Sequence, residues 1–192
     1  MSKKDILLIG GGGHCKSVID VIEVENKFNI VGIIDKIDKV GEKVLGYQII
    51  GSDEDIPKLK KVVQFAFISA GQIRDYSFRS NMFIKLRKLN FNIPVIISPI
   101  SYVSKHSTVG EGTIIMHNAL INSNVKVGEN CIINSKALVE HDVIVGNNCH
   151  ISTGSVLNGG VIVKDNSFIG SNTSTKQGIE IEGFNKAGIF IK

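Results

Sequence analysis

The feature that most restricts the fold is an aliphatic residue that recurs at every sixth position through the second half of this 192-residue chain. From Val103 to Ile169, all twelve positions at this spacing are Val, Ile or Leu. The position four residues after each of them is small or β-branched, from Ser107 to Thr173. This pattern is typical of a narrow coil whose interior is filled by aliphatic side chains and whose corners admit only small ones. It therefore predicts a parallel β-helix built from six-residue repeats.

The glycines indicate how many repeats form one coil. Gly110, Gly128 and Gly146 stand 18 residues apart, so three repeats are expected to complete each coil. Residues 103–174 then supply four coils, above the minimum of about three repeats that a stacked array needs. After Thr175 only Ile181 keeps the phase, and we expect the last 18 residues to form a cap, a frayed coil or a tail.

The first half of the chain has the pattern of a parallel α/β domain. The apolar run Ile6–Ile9 stops at four glycines, Gly10–Gly13, and apolar residues then recur at helical spacing. The same alternation continues along the chain, with an extended run at 30–34, a helix start at Ser52, an extended run at 65–68, a helical pattern from Phe78 to Leu89 and an extended run at 93–97. Such alternation predicts a parallel sheet covered by helices. We therefore expect two domains, residues 1–97 and residues 98–192.

Charge and the N-terminus narrow the function. The net charge of +4 is diffuse, with 15 basic and 11 acidic residues in 1–96 and seven of each in 97–192. This excess suits an anionic ligand such as a diphosphate and argues against nucleic-acid binding. The N-terminus leads into only a short apolar run, so we expect neither a signal peptide nor a membrane segment, and a cytoplasmic protein.

Three cysteines, Cys15, Cys131 and Cys149, show no metal-ligand spacing, and their odd number argues against a disulfide framework. Cys131 and Cys149 occupy small-residue positions of the coil, where a buried small hydrophobe is a better interpretation than a nucleophile. We therefore expect no metal and no covalent cysteine mechanism.

The best candidate for chemistry in the coil is Glu140-His141-Asp142. Val139 points inward, so His141 lies at or near a corner, where an adjacent carboxylate can fix its tautomer and support proton abstraction. A solvated polar turn is the competing interpretation. His150 lies nine residues further on, and Gly159-Gly160 offers backbone N–H groups to an oxyanion. His106 and His117 lack a neighbouring carboxylate and are expected at the surface.

The glycines at 10–13 stand where a strand leads into a helix, a position at which backbone N–H groups and the helix dipole can hold a phosphate. Asp35 ends the next apolar run, where such folds contact a ribose or a base. The dinucleotide fingerprint is imperfect because Cys15 occupies its third glycine position. A glycine turn that only closes the corner between strand and helix remains the alternative.

The chain resembles the bacterial sugar acetyltransferases of sialic acid and glycan biosynthesis loci, which include UDP-4-amino-sugar N-acetyltransferases and sialic acid O-acetyltransferases. The resemblance covers nearly the whole chain, and its matching residues are Ile9–His14, Gly32–Lys36, Ile68–Gly71 with Arg74, Asn134–His141, Ile151–Gly154, Asn158 and Gly159.

The resemblance implies a Rossmann-like domain that binds the nucleotide part of the substrate, followed by a left-handed β-helix that forms a homotrimer and binds acetyl-CoA between neighbouring β-helices. It implies that His141 is the general base, oriented by Asp142, and that His150 and Gly159 contact acetyl-CoA. The residues it assigns to the nucleotide sugar are Gly12, Gly13, His14, Asp35, Lys36, Gly71 and Asn134. No metal is required.

These expectations favour an enzyme that acetylates the amino group of a nucleotide-linked, UDP-type amino sugar. O-acetylation of a sialic-acid-like sugar is the alternative within the same class. The family pattern ends in a Gly-Asn-Pro-Ala-like tail beyond a further coil, whereas this chain ends at Gly188–Lys192, so a silent scaffold or regulatory paralogue is the alternative from another class. An NAD-dependent oxidoreductase would leave the β-helix unexplained.

Overall fold

The computed structural model describes residues 3–192. They form two compact units, one containing the chain up to Gly71 together with Ser77–Pro94, and the other containing Gln72–Tyr76 and Val95–Lys192. Within the described residues, no helix is long and apolar enough to cross a membrane.

The first unit is the predicted parallel α/β domain. Its strands and helices are, in chain order, β1 (Lys4–Ile9), α1 (Gly13–Glu25), β2 (Phe28–Ile34), β3 (Lys43–Val44), β4 (Tyr47–Gly51), α2 (Ile56–Leu59), β5 (Phe65–Ile68) and α3 (Ser77–Lys88). The sheet order is β3-β4-β2-β1-β5, with β1 parallel to β2 and β5, β2 parallel to β4, and β3 antiparallel to β4.

The central strand explains why this sheet forms. Residues 6–9 of β1 are all fully buried, as expected for a parallel strand covered on both faces. The strand order changes direction at β1, because the chain continues to β2 on one side and returns to β5 on the other. In open α/β sheets, ligands bind beyond the carboxyl ends of the strands at such a switch point. A ligand site in this unit is therefore expected at the loops that follow β1, β2 and β5.

Two elements differ from those predicted for the first half of the chain. The hairpin of β3 and β4 was not expected; Leu45 and Gly46 both have positive φ, 48° and 90°, which makes the tight turn between its strands. In the apolar run 93–97 only Ile96–Ile97 forms a strand, and it pairs with the β-helix rather than with the parallel sheet. Pro94 interrupts that run and lacks the N–H that a sheet ladder would need.

The second unit is a left-handed parallel β-helix of two-residue strands, which confirms the predicted fold class. Its strands are β6 (Ile96–Ile97), β7 (Tyr102–Val103), β8 (Thr108–Val109), β9 (Ile114–Ile115), β10 (Leu120–Ile121), β11 (Lys126–Val127), β12 (Ile132–Ile133), β13 (Leu138–Val139), β14 (Ile144–Val145), β15 (His150–Ile151), β16 (Val156–Leu157), β17 (Ile162–Val163), β18 (Phe168–Ile169), β19 (Ser174–Thr175), β20 (Glu180–Ile181), β21 (Phe184–Asn185) and β22 (Phe190–Ile191).

These strands stack into three faces. We call them face 1 (β6, β9, β12, β15, β18, β21), face 2 (β7, β10, β13, β16, β19, β22) and face 3 (β8, β11, β14, β17, β20). Through most of the helix each residue pairs with the one 18 positions away, as Ile132 does with His150. The second residue of each strand points into the common core, where Ile121, Val139 and Leu157 are fully buried. The aliphatic residues that recur at every sixth position of the sequence thus fill the interior of the three-sided β-helix.

The corners of this helix depend on left-handed backbone. Every sixth residue from Gly112 to Gly178 has a positive φ, and Asn or Gly occupies ten of these twelve positions. Asn and Gly tolerate this region better than other residues, which explains their recurrence. The two exceptions are Lys136 and Asp142, with φ of 60° and 63°.

The last coil continues to Ile191, so the chain after Thr175 is neither a frayed end nor a loose tail. The ladder spacing falls from 18 to 16 residues there, since Phe168 pairs with Phe184 and Thr175 with Ile191. The corner at 182–183 is two residues shorter than the others, and this shifts the phase that the sequence pattern relies on.

Candidate active site

The corner between β13 on face 2 and β14 on face 3 carries a paired histidine and carboxylate. The Nδ1 atom of His141 lies 2.8 Å from Oδ2 of Asp142, and both side chains are about half exposed, at 54% and 55%. The left-handed backbone at Asp142 makes the sharp turn that brings the two neighbouring side chains together. Since Nδ1–H donates to the carboxylate, the neutral imidazole carries its lone pair on Nε2.

Asp142 is held by the coil below. The Nδ2 amide of Asn124 donates a hydrogen bond of 2.6 Å to Oδ1 of Asp142, 18 residues away. The hydrogen bonds from Asn124 and then from His141 lower the pKa of Asp142 below its ordinary value. The carboxylate is therefore ionised at neutral pH. One of its oxygens accepts a hydrogen bond from Asn124 and the other accepts one from His141. Glu140, on the other side of His141, has a similar contact, since Nδ2 of Asn122 donates to Oε2 of Glu140 at 2.7 Å.

The imidazole of His141 rests on the next coil at Gly159. A Cβ atom placed on Gly159 would lie 2.7 Å from Cε1 and 2.8 Å from Nε2 of His141, closer than two such atoms can approach. The φ of Gly159 is not in the left-handed region, so this glycine is required by the histidine and not by the backbone. A backbone hydrogen bond of 3.0 Å, from the N–H of Gly160 to the carbonyl of His141, holds the two coils in register at this point.

This corner has two groups that chemistry could use. Within residues 3–192, Nε2 of His141 and the N–H of Gly159 have no hydrogen-bond partner. One is a base beside its orienting carboxylate, and the other is a donor next to it. Together they can accept a proton from a nucleophile and stabilise an oxyanion.

His150 and Asn134 form a second pair on face 1. Nδ2 of Asn134 lies 3.1 Å from Nε2 of His150, and the Gln72 carbonyl accepts a hydrogen bond from Nδ1 of His150. The ring is 6% exposed and packs edge-on against Phe168, with ring centroids 5.2 Å apart. Both ring nitrogens are in use in the neutral Nδ1–H tautomer, so His150 lacks the available lone pair of a general base.

Gln72 is a contact that the sequence did not indicate. It belongs to the segment Gln72–Tyr76, and its Nε2 amide also donates to the Asn148 carbonyl at 2.6 Å. Arg74 of the same segment lies over the ring of Phe184, 5.9 Å from its centroid. The segment therefore covers part of face 1 and contributes to the burial of His150.

The structure also places the remaining histidines and the cysteines of the coil. His106 is exposed, as expected, whereas His117 is half-buried and its Nδ1 lies 2.6 Å from the Ser98 hydroxyl. The thiols of Cys131 and Cys149 are fully buried in the corners of the coil. Within residues 3–192 no group of three His, Cys, Asp or Glu side chains could hold a metal ion.

The first unit brings together the loops that follow β1 and β2. Asp35 accepts hydrogen bonds of 2.7 Å from the N–H groups of Gly11 and Lys36, and its Oδ2 lies 3.4 Å from Nζ of Lys39. Burial raises the pKa of Asp35, but the two backbone hydrogen bonds and Lys39 outweigh burial and lower it. An ionised carboxylate therefore fixes the glycine loop to the end of β2.

The N-terminus of α1 is open in this unit. Gly12 caps the helix without a side-chain hydrogen bond, and a Cβ placed on Gly12 or Gly13 would have no neighbour within 4 Å. Gly71, in the loop after β5, faces the glycine loop, since a Cβ there would lie 3.3 Å from Cβ of His14. Gly12, Gly13, His14 and Gly71 thus meet at the switch point, while Asp35 holds the loop from the other side.

Comparison with known families identifies the class of protein that this fold and corner define. Residues 5–86 match the PglD N-terminal domain, and residues 106–141 and 124–159 match the bacterial transferase hexapeptide (six repeats). These matches support an acyltransferase and confirm the resemblance to the sugar acetyltransferases that was drawn from the sequence.

Two solved structures illustrate the similarity. The acetyltransferase domain of PglB from Neisseria gonorrhoeae, solved with acetyl coenzyme A, has a TM-score of 0.90 and 23% identity over 99% of this chain and 93% of its own. PerB from Caulobacter crescentus, solved with CoA and GDP-perosamine, has a TM-score of 0.70 and 26% identity over 98% of this chain and 94% of its own.

One curated sequence relative also matches. An uncharacterized protein of Acanthamoeba polyphaga mimivirus is 33% identical over 112 residues, which are 57% of this chain. The match spans only 21% of the length of that viral protein.

Proposed function

We propose that this acyltransferase moves the acetyl group of acetyl-CoA to the amino group of a sugar carried on a nucleoside diphosphate. The observation that carries the proposal is the corner at which His141, oriented by Asp142, lies on Gly159 with its Nε2 available. The PerB structure supports the choice of substrates, because that similar protein was solved with CoA and a GDP-linked sugar.

The transfer would be direct. The neutral amine of the sugar attacks the thioester carbonyl of acetyl-CoA, and Nε2 of His141 takes the proton that the nitrogen loses. The carbonyl electrons move to oxygen, where the N–H of Gly159 donates a hydrogen bond to the oxyanion. When the intermediate collapses, the C–S bond breaks and the imidazolium returns its proton to the thiolate of CoA. The Asp142 carboxylate stabilises the imidazolium between these two steps.

The acceptor would bind through the first unit. Gly12 and Gly13 present the open N-terminus of α1 to the diphosphate, with His14 and Gly71 beside them. Asp35 and Lys36, at the end of β2, would contact the ribose or base. We propose a UDP-linked sugar, and a GDP-linked sugar is the alternative that the experiment below includes.

The donor site would require more than one copy of the chain. His141 lies at a corner of faces 2 and 3, whereas His150 and Asn134 lie on face 1, so one chain does not bring them together. We propose a homotrimer in which the β-helix of one copy supplies His141 and Gly159 and a neighbour supplies the Asn134–His150 pair. Light scattering coupled to gel filtration should give three times the mass of 20.8 kDa.

The proposed reaction is tested by incubating the protein with acetyl-CoA and each of three acceptors: a UDP-linked amino sugar, a GDP-linked amino sugar and a free sialic acid. Mass spectrometry reports acetylation, and hydroxylamine treatment separates the two products because it cleaves O-acetyl esters and leaves amides intact. We expect an amide on a nucleotide-linked sugar. An ester on sialic acid would favour the O-acetyl alternative.

Replacing His141 by Ala should lower kcat by about 10²- to 10⁴-fold, the contribution typical of a general base. The exposed His106→Ala is the matched control and should retain full activity. Full turnover by His141→Ala would remove the mechanism. If calorimetry at millimolar acetyl-CoA detects no binding, the silent scaffold becomes the better interpretation.

A further inference from the structure

We propose that Asn124 is a positioning residue for the transfer, acting on His141 through Asp142; this inference rests on the proposed function of the His141 corner. Asn124 lies one coil below the catalytic pair, and nothing in the local sequence marks it. Its role follows from its hydrogen bond to one oxygen of Asp142, which directs the other oxygen to His141.

The contact divides the two oxygens of Asp142. Oδ1 accepts from Nδ2 of Asn124 at 2.6 Å, and Oδ2 accepts from Nδ1 of His141 at 2.8 Å. With both oxygens engaged, the carboxylate plane is fixed by two partners on different coils. A half-exposed aspartate with one partner would rotate and exchange that partner for water.

The backbone adds a second constraint. Asn124 and Asp142 both have left-handed φ, 59° and 63°, and both stand at the same corner of successive coils. Their side chains therefore start from equivalent positions and meet at hydrogen-bond distance. The peptide N–H of Asp142 also donates to the Ser123 carbonyl at 3.2 Å, so the two corners are joined on both backbone and side chain.

Side-chain hydrogen bonds between stacked corner residues also occur elsewhere in the β-helix, away from the proposed catalytic pair. Asn130, Asn148 and Asn166 form a ladder at another corner, with amide hydrogen bonds of 2.8 Å and 3.2 Å between successive members. In that ladder the stacked asparagine side chains join successive coils and have no other proposed role. Asn166, with φ of 62°, is therefore a matched control for Asn124.

The variants follow from these facts. Asn124→Gly removes the side chain without straining the left-handed backbone, and Asn166→Gly does the same at the control corner. Asp142→Asn keeps a residue that tolerates positive φ while removing the charge that His141 uses. Asn124→Asp places a second carboxylate against Asp142, so the two groups repel each other.

In steady-state kinetics, Asn124→Gly should lower kcat about tenfold and leave KM for both substrates unchanged, while Asn166→Gly changes neither. Asn124→Asp should be slower than Asn124→Gly. In an Asp142→Asn background, Asn124→Gly should cost nothing further, because the path from Asn124 to His141 is already broken. An equal loss in both backgrounds would overturn the proposal, and so would an equal loss in Asn166→Gly.

A second measurement does not need activity. NMR of the histidine-labelled protein should show the Nδ1–H tautomer of His141 with a slowly exchanging ring proton, assigned by its absence in His141→Gln. Asn124→Gly should abolish that signal, and Asn166→Gly should retain it. If the wild-type protein acetylates none of the acceptors, the proposed function fails, while the signal still decides whether Asn124 positions the ring. An unchanged signal in Asn124→Gly would overturn the proposal in either case.

Discussion

At the scale of single residues, the glycine opposite His141 is as informative as the histidine itself. Gly159 has an ordinary φ, and its Cβ direction is occupied by the imidazole of His141. The residue is therefore glycine because of a side chain one coil away, 18 positions earlier in the sequence. Because glycine at this position leaves room for the imidazole of His141, its presence indicates that the position of that ring matters.

Gly159→Ala should displace the imidazole of His141 while the backbone accepts the new methyl group. We expect kcat to fall at least tenfold, because a ring moved by about 1 Å no longer reaches the nucleophile. The melting temperature should change little, since the ring is half exposed and can swing into solvent. Steady-state kinetics and thermal unfolding measure the two effects, and a large loss of stability with normal turnover in the folded fraction would contradict the interpretation.

The sequence predicted only part of this corner. Glu140-His141-Asp142 could be chosen because three polar residues beside an inward-pointing Val139 suggest chemistry. Gly159 could be chosen because the Gly159-Gly160 pair offers backbone N–H groups, and the resemblance marked it as well. Asn124 and Gln72 could not be found in the same way. Asn124 meets Asp142 only because side chains stack at 18 residues, and Gln72 comes from a segment outside the repeat. A search for polar residues one coil before each candidate would have found Asn124.

At the scale of elements, the interior of the coil was predictable and its corners were not. The aliphatic phase from Val103 to Ile169 predicted the strands directly, because the second residue of each strand fills the core of the coil. The phase was lost where Thr175 and Asn185 occupy inward-facing strand positions and where the corner at 182–183 is two residues short. Asn or Gly at ten of the twelve positions from Gly112 to Gly178 was a second regular signal, and its physical cause is the left-handed corner.

This reasoning makes the Asn148 corner a test of the coil. Asn148 has φ of 53° and bridges two neighbours, accepting from Asn130 and donating to Asn166. Asn148→Val should lower the free energy of unfolding by about 2–4 kcal/mol, through two lost hydrogen bonds and the strain of a β-branched residue in left-handed backbone. Asn148→Gly should lose only about 1–2 kcal/mol because it carries no strain.

Urea titration monitored by circular dichroism would compare the two variants. The difference between valine and glycine isolates the backbone contribution, since both lose the same hydrogen bonds. Equal losses in the two variants would mean that the left-handed corner does not select the residue. In that case the recurring asparagines would serve only their side-chain ladder.

At the scale of the whole molecule, the two proposed substrates correspond to two kinds of architecture, the parallel α/β unit and the β-helix. The glycine loop of the parallel α/β unit is open at a helix N-terminus, whereas the β-helix carries the proposed base and the groups proposed to orient it. Both architectures could be predicted from the sequence because their periodicities differ so strongly. The hairpin of β3 and β4 could not, because its turn depends on the left-handed φ of Leu45, a residue that rarely adopts it.

The division of substrates predicts a variant that weakens the binding of one substrate alone. Gly13→Asp adds a carboxylate to the first turn of α1, where it is favourable to the helix dipole by about 0.3–1 kcal/mol and has open space around it. The same charge repels a diphosphate at the helix N-terminus. We expect KM for the nucleotide sugar to rise at least tenfold, with KM for acetyl-CoA, kcat and the melting temperature nearly unchanged.

Gly13→Asn separates charge from bulk in this experiment, because it is nearly isosteric with Asp and neutral. It should raise KM for the nucleotide sugar much less, and added salt should narrow the gap between the two variants, since exposed charges are screened over about 8 Å at physiological ionic strength. Equal effects of Asp and Asn would indicate a steric block and not an anion site. If KM for acetyl-CoA rose instead, the glycine loop would belong to the donor, and the assignment of substrates to the two units would have to be exchanged.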